Sequence, residues 1–340
     1  MLDMKDIHGP VPELVNDSRT KLINERLFNF TLKRISYIDG ALCDSFSAAH
    51  NFICYIPSGK VREHNNPNYF HYTSVDNFKN IIHSGTFWAS QLGAMNDPKE
   101  LTYAKEKLTH QILILCESMK IERNTVTHII NNISIFFERY IFEDFFCISL
   151  SKRGNLSSQW SKYSRENGVS FSLNTKIINY IPEFYNETML INVIYEPTEQ
   201  LKTLSQLAQE IMNNKSLLVN ENSAHKILNE KFKERLIYIT VAFKHAFYIE
   251  EEEYRVVIPS RGNESHIKRK PDGVSKYMQV DFMKIYNDRE DIDIPIEYIF
   301  TAPTKNERKA LNNINRLLSI KKIKFGKIIG SGASFIWPNK

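Results

Sequence analysis

The sequence predicts an α+β fold with a mixed or antiparallel sheet, and three observations predict it. Helical and strand-like periods follow one another without the regular alternation of a doubly wound fold. Short alternating or wholly apolar runs recur from residue 69 to residue 330. Two long helical stretches, 98–142 and 199–244, interrupt those runs.

The elements follow in chain order. Residues 1–64 read as an N-terminal helical segment and linker: Leu22, Ile23, Leu27, Phe30 and Ile35 recur at roughly helical spacing, and Asn65-Asn66-Pro67-Asn68 punctuates the junction. Residues 65–340 form the main α+β domain. It opens with a strand, Tyr69 to Thr73. Ser74 is a good N-cap for a helix whose stripe is Val75, Phe78, Ile81 and Ile82, and Gly85 stops it. Thr86 to Ser90 is a second strand. Asp97, Pro98 and Glu100 fit a capping box that starts a helix with Leu101, Ala104, Leu108, Ile112 and Leu115 on one face. A second helix covers about 124–142. Phe145 to Leu150 is a buried strand, and Ser157 begins a short helix that Gly168 ends. Further strands are expected at 169–173, 190–195, 253–258, 277–282, 296–302 and 325–330, with helix at 199–244, broken near Asn213-Asn214, and at 305–319.

Composition narrows the function classes. Lys plus Arg number 44 against 39 Asp plus Glu, a net +5. That bias suits a phosphate-bearing ligand without requiring one. Lys268-Arg269-Lys270 and Lys321-Lys322-Ile323-Lys324 are the densest basic runs, and they read as a solvated loop and a solvated helix end. Cys43, Cys54, Cys116 and Cys147 lie in apolar neighbourhoods without a C-x-x-C pair, so they read as buried thiols, and no metal site is expected. Residues 1–6 lack the apolar core of a signal peptide, and no window reaches the ~20 apolar residues of a bilayer span. The expectation is a cytoplasmic protein that does not engage a membrane. There is no Walker loop, G-x-G-x-x-G, H-E-x-x-H or G-x-S-x-G.

Three polar patches could carry chemistry. In the first, alternation places His71 and Thr73 on one face of the strand and Tyr72 on the other. An imidazole and a hydroxyl so spaced can bind a sugar or an amide; helix capping by Thr73 and a half-buried His71 explain the same residues. Asn96 is left over by the adjoining capping box and could line a pocket. In the second patch, Trp160 and Tyr163 stand at i and i+3, a platform for a flat ring or a pair of packing residues. The third is Glu251, Glu253 and Arg255. If extended, these share one face while Tyr254, Val256 and Ile258 take the core face. A carboxylate so fixed can bind ribose hydroxyls or stabilise a developing cation, and a structural ion pair explains it equally well.

The ordered set Tyr69 to Thr73, Asn96-Asp97-Pro98-x-Glu100, Trp160-x-x-Tyr163, Glu251-x-Glu253-Tyr254-Arg255 and Ile328 to Ser331 resembles a large bacterial family of unknown function over roughly residues 69–335. More distantly it resembles the ADP-ribosyltransferase superfamily. That resemblance implies an ADP-ribosyltransferase-like sheet carrying large helical insertions, with NAD as substrate. It implies Glu253 as the catalytic carboxylate on the nicotinamide ribose, and Tyr163 or Trp160 as the ring on nicotinamide. His71 and Thr73, with Tyr72 between them, would hold the adenosine-side ribose or the amide, and Arg255 would hold Glu253 or the pyrophosphate. Asn96 and Glu251 would complete the substrate-binding set. The function implied is an NAD-dependent ADP-ribosyltransferase-like or NAD-cleaving effector, in phage defence or a toxin system, with a protein or nucleic-acid acceptor. A non-catalytic nucleotide-sensing or nucleic-acid-binding module is the alternative. The N-terminal helical segment offers a docking surface for a regulatory partner.

Overall fold

A computed structural model describes residues 68–94, 98–163, 167–260, 265–270 and 273–332. All of them belong to the second of the two units into which the chain divides, Gly59–Lys340. The N-terminal helical segment, Cys43, Cys54, Asn96 and Asp97 lie outside the described residues.

The domain begins with β1 (Tyr69–Ser74), whose alternation sends Tyr69 and His71 to one face and Phe70 and Tyr72 to the other. Ser74 then changes the period from two to 3.6. Its Oγ accepts from the Asn77 amide at 3.2 Å and opens α1 (Val75–Ser84), whose buried stripe is Phe78, Ile81 and Ile82. The cap is Ser74 and not Thr73. Gly85 ends the helix at φ 72°, a left-handed turn that suits a residue without Cβ. β2 (Thr86–Gln91) follows.

A helical layer comes next. α2 (Pro98–Ser118) buries Leu101, Ala104, Leu108 and Ile112, and α3 (Arg123–Phe136) runs into a π-turn at Phe137–Ile141. β3 (Phe145–Ser151), α4 (Ser157–Tyr163) and β4 (Gly168–Leu173) return to the sheet. Gly168, expected to stop α4, instead begins β4. The sequence reading did not place α5 (Thr175–Phe184), whose Pro182 masks a strongly amphipathic helix capped by Asn174. After β5 (Met189–Asn192), the second helical stretch divides into α6 (Pro197–Met212), α7 (Lys215–Leu218), α8 (Glu221–Ile227), a π-turn at Leu228–Phe232 and α9 (Lys233–Ala242). α2 packs on α6 and α9, so the two helical insertions form one layer.

A 3₁₀ turn, Ala246–Glu251, leads to β6 (Glu253–Pro259). A hairpin of β7 (Ser265–Lys270) and β8 (Gly273–Asp281) comes next. Lys268-Arg269-Lys270 therefore lies in a strand, where a solvated loop was expected; basic side chains hide a strand whose partner, β8, supplies the apolar pattern. The chain closes with α10 (Phe282–Asn287), β9 (Ile296–Thr301), α11 (Glu307–Lys321) and β10 (Phe325–Ile329).

The fold is mixed α+β with a mixed, open sheet. Among the described residues the strand order is β10-β9-β4-β1-β3-β2-β8-β7, with β6 also on β3 and β5 on β6. Only β10 with β9 is parallel among these named pairs. β3 is the branch point: Ser151 meets Phe70 of β1, Cys147 meets Ser90 of β2, and the whole strand pairs with β6. Phe87, Phe146, Ile148, Phe171, Tyr254 and Val256 belong to the main core, and Tyr69 stacks on Tyr254 at 4.1 Å. A smaller core of Phe70, Tyr72, Leu156, Trp160 and Ala302 sits on the other face of β1. Among the described residues no helix is long and apolar enough to cross a membrane.

Candidate functional site: a buried charge cluster at the start of β6

The most distinctive chemistry stands where β6 begins. Arg255 is fully buried. Its Nε donates to Glu253 Oε1 and its Nη2 to Glu253 Oε2, both at 2.9 Å. Nη1 donates to the Val241 carbonyl at 2.9 Å, and Nη2 also reaches Glu100. Lys244 is the second buried cation. Its Nζ donates to Glu251 Oε2 at 2.6 Å and to Glu253 Oε2 at 2.9 Å, and lies 3.4 Å from Glu100 Oε2. Lys162 approaches Glu251 Oε1 at 3.6 Å from the solvent side, with a third of its side chain exposed. Glu100, Glu251 and Glu253 are thus set against Lys162, Lys244 and Arg255.

That balance is what makes burial tolerable. An isolated buried charge costs several kcal/mol, and pairing with good geometry offsets the cost. For Lys244, burial disfavours the ammonium, but Glu253 and Glu251 outweigh it and hold the pKa well above the ordinary lysine range. For Arg255, burial pulls the guanidinium below its ordinary range. Two carboxylates and a carbonyl keep the cation in place, and a guanidinium is not deprotonated in proteins. The position a metal would take among the three carboxylates is filled by Lys244 Nζ, and among the described residues no group of His, Cys, Asp and Glu is placed to hold a metal ion.

The backbone beneath the cluster is pinned. Ser151 Oγ donates to the Glu251 carbonyl at 2.6 Å, and the Glu253 amide donates to Tyr195 Oη at 3.0 Å. Lys152 and Val193 amides take the Glu252 and Glu253 carbonyls. Gln200 Nε2 donates to the Ile194 and Lys244 carbonyls, and Tyr103 Oη donates to Gln200 Oε1 at 2.9 Å. Glu252 takes a left-handed φ of 41°, which ends the 3₁₀ turn and starts the strand. Glu251 is therefore not in an extended run with Glu253, as the alternation reading had it. Lys244, not strand alternation, joins the two carboxylates.

Two tyrosine rings flank the rim. Lys162 Nζ lies 5.3 Å from the Tyr163 ring centroid and 5.6 Å from that of Tyr248, and Lys244 Nζ lies 5.2 Å from Tyr248. Tyr163 is half-buried, and burial raises its phenol pKa, with Lys162 opposing and Glu253 reinforcing the shift.

The remaining predicted residues divide by face. Trp160 is 1% exposed, packs edge-on against Tyr72 at 4.7 Å and donates from Nε1 to Asn155 Oδ1 at 2.9 Å. It is a core wedge, not an open platform. Tyr72 Oη donates to the Arg153 carbonyl at 2.6 Å and accepts from the Leu156 amide, which fixes the start of α4; its burial pushes the phenol up to about 12. His71 sits edge-on to Phe87 and Phe171 in the main core, with Nδ1 3.3 Å from the Ser149 carbonyl. Thr73 shares that strand face and is buried. β6 alternates too: Tyr254 and Val256 join the main core, so Glu253 and Arg255 take the opposite face from His71 and Thr73. Tyr163, Glu251, Glu253 and Arg255 are gathered; His71 and Thr73 are not among them.

Burial lowers the His71 pKa, against the opposing effect of its hydrogen bond to Ser149. A depressed imidazole leaves the unfolded chain holding the extra proton, so the stability it contributes is present above the unfolded value of about 6.5 and is lost as pH falls. Melts between pH 7.5 and 5 should therefore show a downward slope that His71→Gln reduces by at most about 1.4 kcal/mol per pH unit, one proton's worth. An unchanged slope in the variant would place the titration elsewhere.

Sequence reasoning missed Lys244, Glu100 and Tyr248. Glu100, expected to close a capping box, gives its carboxylate to Arg255 and Lys244, 155 and 144 residues away in sequence. Lys244 had one visible signal: it is a lysine directly after the apolar run Val241-Ala242-Phe243, where a buried cation needs a partner.

Residues 159–256 match a family model described as "Protein of unknown function (DUF2971)". No curated protein and no solved structure matches the chain. The DUF2971 match begins on α4 and ends on β6, so it takes in Lys162, Tyr163, Lys244, Tyr248, Glu251, Glu253 and Arg255. It leaves out His71 and Glu100, which come from β1 and α2.

Proposed function

We propose that the chain is an ADP-ribosyltransferase-like protein that engages NAD or a similar nucleotide at the rim of the charge cluster and cleaves its nicotinamide–ribose bond. The observation that carries this reading is the joining of Glu251 and Glu253 with Lys162 and the Tyr163 ring at one edge, all four drawn from the stretch that matches the DUF2971 model. The motif order adds its resemblance to that superfamily. In this scheme Tyr163 orients the flat ring, Lys162 meets the pyrophosphate and a carboxylate stabilises positive charge developing at the ribose carbon. Glu251 is the carboxylate nearer the rim, because Oε1 meets only the partly exposed Lys162, whereas both oxygens of Glu253 are already engaged. Lys162 leaving Glu251 for a phosphate would bare that charge.

A second reading, a nucleotide sensor without turnover, is favoured by the same saturation of Glu253. Incubating the protein with NAD and cell extract while following nicotinamide release separates the two. Release should fall at least a hundredfold in Glu253→Gln or Glu251→Gln, an effect of the size of losing one preorganised electrostatic contact, with the melting transition of each variant recorded alongside. Release that survives both substitutions would exclude a carboxylate mechanism. Thermal stabilisation by NAD with no nicotinamide released would establish the sensor.

A further inference from the structure

Away from the charge cluster, the β2–β8–β7 end of the sheet carries an aromatic strip that the proposed activity does not use. Trp88 is 41% exposed and stacks on Tyr277 with ring centroids 4.3 Å apart and planes 27° from parallel. His266, directly across from Tyr277 in the β7–β8 ladder, follows at 5.4 Å and 34°. Three rings thus form one stack across three strands. Register explains why it faces outward. Phe87, Ala89, Met278 and Val280 are buried in the main core, so their neighbours Trp88, Ser90, Tyr277 and Gln279 lie on the opposite face. The same register carries Lys268 and Lys270 onto the face of His266. Residues 265–280 hold Lys268, Arg269, Lys270 and Lys276 against the single acid Asp272.

We infer that this face binds single-stranded RNA. An exposed stack of rings on a sheet, continued by cations along an adjoining strand, fits what a single strand presents: bases that extend the stack and phosphates that follow the charge. A duplex cannot use it, because its bases are already stacked on one another. Ser90 and Gln279, polar and not fully buried among the rings, can meet a ribose 2′-hydroxyl, which commits the proposal to RNA over DNA. The strip is separate in sequence and on the sheet from Glu251 and Glu253, so this inference stands whether or not NAD is cleaved.

Fluorescence anisotropy of the full chain with a labelled 12-nucleotide single-stranded RNA tests it. Binding should weaken about tenfold or more in Trp88→Ala, be largely kept in Trp88→Phe, and lose part of its salt dependence in the Lys268→Gln/Lys270→Gln double variant. Trp88 is half-exposed and its replacement should leave the melting transition near that of the parent chain, which a parallel melt verifies. Absence of RNA binding, equal affinity of parent and Trp88→Ala, or equal affinity for double-stranded RNA or single-stranded DNA of the same sequence would each overturn the proposal.

Discussion

Replacing Arg255 with methionine should cost about 3–5 kcal/mol of folding stability, the range for removing one partner of a buried ion pair. Methionine fills the space of the arginine stem, so the loss reports charge and not a cavity. It would leave Glu253 with Lys244 alone, Glu100 with a longer contact at 3.4 Å, and the Val241 carbonyl without its donor. Denaturant unfolding of Arg255→Met, Glu253→Gln and the double variant measures the coupling. The double variant should recover part of the loss, because a neutral amide beside an apolar side chain no longer strands a charge. A loss under about 1 kcal/mol in Arg255→Met would mean that water reaches the cluster and screens it. Lys244 gives a pH signature for the same cluster. Its folded pKa is raised, so its contribution is fully present below the unfolded lysine value of about 10.4 and disappears as pH climbs through the folded value. Alkaline unfolding should accordingly begin at lower pH in Glu251→Gln, where one of the raising charges is gone.

Trp160→Ala should cost a similar amount, about 3–5 kcal/mol, by a different route. The indole is the largest fully buried side chain among the described residues, and it holds α4 against β1 through Tyr72. Its removal opens a cavity in a core whose buried members are only Phe70, Tyr72, Leu156, Trp160 and Ala302, with few neighbours to collapse inward. Gly154, just before α4, already brings the backbone so near Phe70 that a Cβ there would stand 2.6 Å from the ring. The hydrogen bond matters less than the volume. Trp160→Phe keeps most of the packing but leaves Asn155 Oδ1 without the indole N–H, a loss of about 1–3 kcal/mol. Asn155 also donates to the Ser331 carbonyl at 2.8 Å, so loosening it should release the segment after β10. Calorimetric melts of Trp160→Ala and Trp160→Phe would order these terms. If Trp160→Ala left the melting transition in place while changing ligand affinity, the indole would be a ligand platform and not the wedge its burial describes.

Much of the architecture was legible because it is local. The Ser74 cap, the Gly85 stop and the Phe78–Ile82 stripe are contained in about a dozen residues, and β1, β3, β4 and β6 each announce themselves by period or apolar run. The stretches that escaped were those whose partner supplies the pattern. α5 carries a proline inside its helix, and β7 reads as a basic loop until β8 is laid beside it. The site was legible in part for the same reason. Tyr254, Val256 and Ile258 alternate with Glu253 and Arg255, which puts the charged pair on one face of β6 without knowing what that face meets.

From the sequence alone came the element types, the α+β class, and the spacing that sets Glu253 beside Arg255 and Trp160 one helical turn from Tyr163. Periodicity states which side of an element is apolar, and no more. Which elements face each other was decided only by tertiary packing. Glu100 reaches Arg255 across 155 positions, Lys244 gathers three carboxylates from two segments, and His71 turns to the opposite side of the sheet from Glu253. The physical reason is that a charge can be buried only with its partners. Pairing is therefore a property of the assembled interior, where the alternative for each group is isolation at a cost of several kcal/mol, and no local stretch of chain carries that information.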